Sequence, residues 1–424
     1  MFDGTDEFAR RGRHDCLSSP GAKSYLPEGS AVFDLFSDDM RRNPYPVYDR
    51  MRGESPVFHL APFDLWMIFD YDGVKRALSD HAAFSSNLSH VPGQGNPGEW
   101  FIFFDPPRHT KLRALIAKAF TPRVVANLEP RIRELSRELL DEMIERGEAD
   151  LVGEYSAPLP MRVIAELLGV PAADWPRYKR WSDVILKVAN TFAPGDETDR
   201  IFQEYGAVTE EMRAALPQLI AQLRSARPDA LLARLVEAEV DGERLTQEEI
   251  LGFVQLLLVG GQETTVNLIN NAVLCLLEHP DQLSRLRAAP QLLPAAIEEV
   301  LRYRSPLQWM PRATTCDVEL HDRVIPAGKL VLPMMGSANR DLRQFPDASR
   351  FDIARDPNAH LAFGHGIHAC LGAPLARLEA RIALADFLDR VHTFELATDE
   401  PWEPRQALSV HGPSQLPMRL TLRR

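Results

Sequence analysis

The chain runs to 424 residues, 45% hydrophobic and 25% charged, with a formal net charge of −12. Those values suit a globular protein and argue against a nucleic-acid partner, whose phosphates call for a basic surface. No apolar run approaches the roughly 20 residues that cross a bilayer, and Cys16, Cys275, Cys316 and Cys370 lack the spacing of a zinc site or a disulfide framework.

Residues 1–34 mix charge with Ser, Gly and Pro and lack the apolar core of a signal peptide. They are expected as an extended arm ahead of a single domain over 35–424, cytoplasmic and without membrane insertion. Val57–Leu60 and 65–69 predict two strands joined by Ala61-Pro62-Phe63-Asp64. Helical patterns follow over 72–79, 106–118, 122–146, 158–168, 173–190 and 197–224, with a Ser-, Asn- and Gly-rich loop over 85–99. Asp105 is placed as the N-cap of the second of these helices. Thr246 and Glu249 form a capping box, with Leu245 and Ile250 as a hydrophobic staple. They open a helix that the pattern carries to about residue 279. At 1.5 Å per residue it is ~50 Å long, and its apolar faces mark it as buried. Strands are predicted over 318–320, 324–325 and 330–334, then a helix over 371–388 and a last β region over 405–424. The fold class is mainly α, helix-rich with small β-sheets and a long central helix.

The segment Phe363-Gly364-His365-Gly366-Ile367-His368-Ala369-Cys370-Leu371-Gly372 sets one cysteine at the end of a glycine-hinged loop with a helix behind it. Glycine lets a backbone pass close beneath a flat macrocycle where a Cβ would clash. The free N–H groups and macrodipole of the helix favour a thiolate at Cys370, and Phe363 offers a ring to pack on the sulfur. A lone Cys in apolar surroundings is ordinarily a small hydrophobe. A thiolate on haem iron, by contrast, pushes electron density into the metal and favours O–O cleavage. The pattern Phe-x-x-Gly-x-His-x-Cys-x-Gly resembles the haem-ligand loop of the cytochrome P450 family in its bacterial soluble form.

Other motifs stand in that family's order. Val259-Gly260-Gly261-Gln262-Glu263-Thr264-Thr265 puts two glycines, each costing about 1 kcal/mol in a helix interior, before an acid and a hydroxyl that a buried helix must satisfy. The string resembles the family's oxygen-binding groove. The resemblance implies a proton relay, with Thr264 steering protonation of bound oxygen and Glu263 shuttling protons from solvent. Gly260, where many members carry Ala, and Gln262 depart from the family pattern and bear on water access. Glu299-Val300-Leu301-Arg302, taken alone, is an ordinary i,i+3 pair. It resembles the family's Glu-x-x-Arg helix, which implies a buried network with Arg355 bracing the cysteine loop. His109 and Arg113 resemble the family's propionate clamp, joined by Arg312 and His368, with His360 in the same region. The implied cofactor is haem b (iron protoporphyrin IX), with Cys370 as axial ligand and Phe363, Gly364, Gly366 and Gly372 beside it.

By this resemblance the chain is expected to be a haem-thiolate monooxygenase that hydroxylates C–H bonds of a hydrophobic small molecule, such as a fatty acid, terpenoid or steroid. It would be a monomer that uses O2 and electrons from a ferredoxin and an NAD(P)H-dependent ferredoxin reductase. Trp100, Phe103, Val259, Gly260, Gln308, Trp309, Met310 and Val410 are expected to line the pocket, under a lid over 186–200. Lys111, Arg343 and Arg377 offer a basic patch for an acidic ferredoxin. A peroxide-driven enzyme, a non-catalytic haem sensor or carrier, and a cysteine hydrolase with Cys370 as nucleophile stand as alternatives.

Overall fold

The computed structural model describes residues 37–422 apart from 93, 95–97, 145–146 and 190–195. The arm expected over 1–34 lies outside the described residues, as do 190–195 of the expected lid and 93 and 95–97 of the 85–99 loop. The dominant apolar core gathers side chains from the helices Arg108–Ala119, Glu129–Ile144, Pro158–Leu168, Trp175–Ala189, Asp196–Ala226, Gln247–Gly260, Glu263–Glu278, Leu293–Tyr303 and Ala373–Arg390. Among the described residues, no helix is long and apolar enough to cross a membrane.

Several boundaries differ from the sequence reading, each for a local reason. The helix expected over 122–146 is two, Pro122–Asn127 and Glu129–Ile144. Pro130 has no N–H with which to continue the first ladder. The helix expected from 106 begins at Arg108, with Pro107 at its cap. Asp105 does not cap it. Its carboxylate instead accepts from the Ser86 N–H at 3.1 Å and from the Ser85 hydroxyl, tying the helix start to the strand Phe84–Ser85.

The capping box is present, with Glu249 N–H donating to Thr246 Oγ1 at 3.2 Å and Thr246 N–H to Glu249 Oε2 at 2.9 Å. The central helix it opens does not run unbroken to 279. It ends at Gly260, and a second helix, Glu263–Glu278, starts after Gly261 and Gln262.

A five-stranded sheet takes Val57–Leu60, Leu65–Ile68, Leu330–Pro333, Arg312–Thr314 and Phe84–Ser85 in that spatial order. The first two form an antiparallel hairpin with Val57 opposite Ile68, and Leu330–Pro333 adds in parallel, Leu330 against Leu65. Ile68, Val74, Phe84 and Val331 seal this sheet onto the helix Tyr71–Ser79. A second sheet joins Val391–Leu396, Pro417–Leu422 and Glu148–Asp150.

Candidate active site

The cysteine loop closes on itself, with Cys370 N–H donating to Phe363 O at 2.8 Å. Gly364 and Gly366 take φ of 72° and 71°, a region L side chains rarely adopt. A Cβ on Gly366 would also come within 2.9 Å of Ser79 Cα, so the loop packs backbone to backbone on the Tyr71–Ser79 helix. The helix behind begins at Ala373, two residues later than expected, with Pro374 in its first turn. Cys370 is solvent-accessible, yet its thiol pKa is raised. Burial raises the pKa; the N–H groups of Gly372 and Ala373 and the charges of Arg113 and Arg377 act to lower it. A bound metal ion would deprotonate the thiol outright.

Arg377 lies 4.5 Å from the Phe363 ring centroid and holds Glu298 through two hydrogen bonds of 2.7 and 2.8 Å, while His360 meets the same carboxylate at 3.1 Å. Burial alone would raise the Glu298 pKa, but these partners outweigh it and bring the carboxyl to about 2. Arg377 is therefore not a free cation for a docking partner. Neither are Lys111, paired with Glu243, and Arg343, paired with Asp341.

His109 and Arg113 from one helix, Arg312 from a strand and His368 from the cysteine loop come together. The His109 and His368 rings stand 4.0 Å apart, and none of their four nitrogens finds a hydrogen-bond partner among the described residues. Burial drives His109 down to about 4, with Arg113 adding to it, and His368 to about 2, with Arg312 adding to it. Arg312 is 4% exposed, and burial lowers its pKa to about 10. Its Nη1 donates to the carbonyl of adjacent Pro311 at 2.8 Å. Arg113 donates to Ala369 O at 2.6 Å, directly before the cysteine. Asp105, the acid nearest this cluster, is engaged by Ser85 and Ser86. Buried polar atoms normally have partners. A buried guanidinium beside two imidazoles without partners suits an anionic ligand.

The helix break gives its two glycines different tasks. A Cβ on Gly261 would meet Ile164 Cδ1 at 2.7 Å, whereas one on Gly260 would have nothing within 4 Å. Gly261 thus permits the close approach of the Pro158–Leu168 helix, and Gly260 is exposed and open. The Gly260 carbonyl accepts from Thr264 Oγ1 at 2.7 Å. Glu263, 9% exposed, begins the next helix, with Arg405 Nη1 at 3.7 Å from its Oε1. Arg405 was not anticipated from the sequence.

Glu299 and Arg302 are wholly buried and doubly bonded, at 2.7 and 2.8 Å. Glu299 also accepts from Arg355 Nε at 3.2 Å, Asn358 Nδ2 at 3.1 Å and Asp352 N–H at 2.9 Å. Arg302 donates further to the carbonyls of Asn339, Ala348 and Arg350 at 2.8 to 3.0 Å.

A sequence profile described as Cytochrome P450 matches residues 32–416. The chain belongs to the cytochrome P450 family. One relative, the putative cytochrome P450 YjiB of Bacillus subtilis, is 43% identical over 363 residues, 85% of this chain and 90% of that protein. Another, the vitamin D(3) 25-hydroxylase of Pseudonocardia autotrophica, is 39% identical over 403 residues, 92% and 97% of the two chains. The crystal structure of CYP109E1 from Bacillus megaterium in complex with corticosterone matches with a TM-score of 0.81 at 40% identity, covering 90% of this chain and 99% of that one. The fold, the haem cofactor and the monooxygenase class follow from that membership.

Of the residues expected to line the P450 substrate pocket, Gln308 and Trp309 prove to be core. Gln308 donates to Ser305 O at 2.7 Å and accepts from Tyr48 OH at 3.2 Å, pressed so close to Gly336 that a Cβ there would lie 2.1 Å from its Oε1. Trp309 donates to Leu408 O at 3.1 Å within a cluster that includes Tyr45, Tyr48 and Phe69. With their polar atoms satisfied inside the fold, both fix the segment that carries half-buried Met310. A bridge between Leu307 and Val410 brings that segment to the C-terminal region. Trp100 and Phe103 are buried and stacked at 6.1 Å, with Trp100 Nε1 donating to Gln255 Oε1 at 3.1 Å. Val259 is half-buried beside the open Gly260.

Proposed function

We propose that this P450, a cytoplasmic monomer, hydroxylates C–H bonds of a bulky apolar molecule of steroid, terpenoid or fatty-acid type. Electrons come from a ferredoxin and its NAD(P)H-dependent reductase. The observation that carries the reading is the break in the central helix, where open Gly260 adjoins a hydroxyl and a buried acid. Cys370 would hold the haem iron and His109, Arg113, Arg312 and His368 its propionates, and the group would supply the dioxygen chemistry.

The protein's own part is to manage protons and water. Thr264 donates to the Gly260 carbonyl and has lone pairs with which to accept, so one rotation of its hydroxyl presents a proton to the groove. Glu263, one residue away and partly reachable from solvent, refills it. Glu299, Arg302 and Arg355 brace the loop that carries Cys370. Half-buried Val259 and Met310, backed by the buried Trp100–Phe103 stack, offer an apolar wall that excludes water around a substrate. A vitamin D(3) hydroxylase and a corticosterone complex among the relatives support a substrate of that size and polarity.

The test is a screen of steroids, terpenoids and fatty acids, scored by the optical shift on binding and then by product formed with the ferredoxin chain. A Cys370→Ser variant should lose the thiolate-type carbon monoxide band. Thr264→Ala should bind haem normally but divert oxygen consumption to peroxide. Efficient turnover with peroxide alone, unimproved by ferredoxin and NAD(P)H, would overturn the reading.

A further inference from the structure

Arg405 lies 138 residues along the chain from Asn267, yet its Nε donates to Asn267 Oδ1 at 2.9 Å while its Nη1 stands 3.7 Å from Glu263 Oε1. Glu263 and Asn267 are one turn apart on the Glu263–Glu278 helix, so a single guanidinium spans one face of that turn. The approach is built into the backbone. Arg405 N–H donates to Gly412 O at 3.1 Å, and Gly412 presses on Asn267, where a Cβ would come within 2.5 Å of Oδ1. Only glycine lets the C-terminal segment reach the helix at this point. The Arg405 side chain is 23% exposed and that of Glu263 10%, so the pair runs from solvent inward. At 3.7 Å the contact with Arg405 is an ion pair rather than a short hydrogen bond. It favours the ionised carboxylate.

We propose that Arg405 is the positioning residue of the proton path, holding the Glu263 carboxylate ionised beside the helix break so that it can take protons from solvent. The proposal rests on the reading of Glu263 as the shuttle. Each transfer is one for one: Glu263 takes a proton from hydronium in solvent, leaving water, and passes it to Thr264 Oγ1, while the Thr264 hydroxyl gives its own proton to the oxygen substrate in the groove. Arg405 stays cationic throughout and is neither donor nor acceptor of the moving proton.

The experiment compares Arg405→Gln, Arg405→Lys, Glu263→Gln and the Arg405→Gln/Glu263→Gln double variant. Arg405→Gln should keep haem content, the carbon monoxide band and the substrate-induced optical shift. Its KM should stay the same while kcat falls about 10- to 100-fold and the kinetic solvent isotope effect rises. Arg405→Lys should recover most of the rate, and the double variant should be no slower than Glu263→Gln. Independently of turnover, urea midpoints of the four proteins should show non-additive effects at the two positions, as expected for residues in contact. Additive losses in kcat, or full turnover in Arg405→Gln with Glu263→Gln slow, would overturn the role of Arg405 and leave the shuttle standing. Full turnover in Glu263→Gln would instead remove the shuttle itself, and the proposal with it.

Discussion

Glu299 gathers hydrogen bonds from Arg302, Arg355, Asn358 and the Asp352 N–H, and Arg302 spends its remaining donors on three carbonyls. The cluster of His109, His368 and Arg312 is also buried, but its imidazole nitrogens have no partner among the described residues. Both clusters were met in the sequence as charged or polar residues at helical or loop spacing. Their difference lies in saturation. A saturated buried network is complete within the protein and acts as a brace. An unsaturated one is complete only with a ligand, and the buried Arg312 guanidinium beside two imidazoles that can each donate one N–H suits an anion such as the haem carboxylates.

The contrast predicts opposite signs for mutations. Arg302→Leu strands the Glu299 carboxylate in the core and should destabilise the protein by ~3–5 kcal/mol, seen as a lower urea midpoint with or without haem. Arg312→Leu removes a buried charge whose acidic neighbour, Asp105, is hydrogen-bonded to Ser85 and Ser86 rather than to the guanidinium. It should raise the midpoint of the apoprotein by about 1–3 kcal/mol while weakening haem retention, measured by transfer of haem to apomyoglobin. An apoprotein destabilised by Arg312→Leu would break the comparison, because the arginine would then be part of a completed network. His109→Leu should behave like Arg312→Leu with a smaller effect on haem retention, since burial keeps this imidazole neutral near pH 7 and it offers one N–H rather than a charge.

What could be read in advance tracks how local the information is. The Cys370 loop and the Glu299–Arg302 pair are contiguous strings, and their resemblance to the cytochrome P450 motifs marked them. The helices were visible because 3.6-residue periodicity survives in any window of a dozen residues. Arg405 was missed because it joins Glu263 only through a fold that brings the C-terminal segment back to the central helix. The Gly260-Gly261 pair was visible, but not which glycine packs and which opens, since that depends on Ile164 arriving from another helix. Gln308 and Trp309 were misplaced because a pocket wall and a core have the same composition in sequence. Asp105 looked like a helix cap, and a tertiary bond to Ser86 took its carboxylate instead. The strand Glu148–Asp150 is three residues long, too short to show alternation, and exists by pairing with Pro417–Leu422.

Glu298 tests how far the brace extends toward the surface, and its effect should be the smallest. It neighbours Glu299 but binds Arg377 and His360, and its side chain is 30% exposed. Its folded pKa of about 2 lies below the usual 4.5, so the pair contributes stability that is fully present above pH ~4.5 and lost as pH falls toward 2. Partial exposure screens the interaction, which limits it to roughly 1 kcal/mol. Wild-type and Glu298→Gln proteins should therefore differ slightly in urea midpoint at pH 6 and converge near pH 2. A gap that persists at pH 2 would mean that Gln disturbs packing around Phe363 rather than removing a charge. A gap of ~3 kcal/mol or more at pH 6 would place Glu298 with the buried network, making the brace of the cysteine loop one continuous cluster from Arg302 to Arg377.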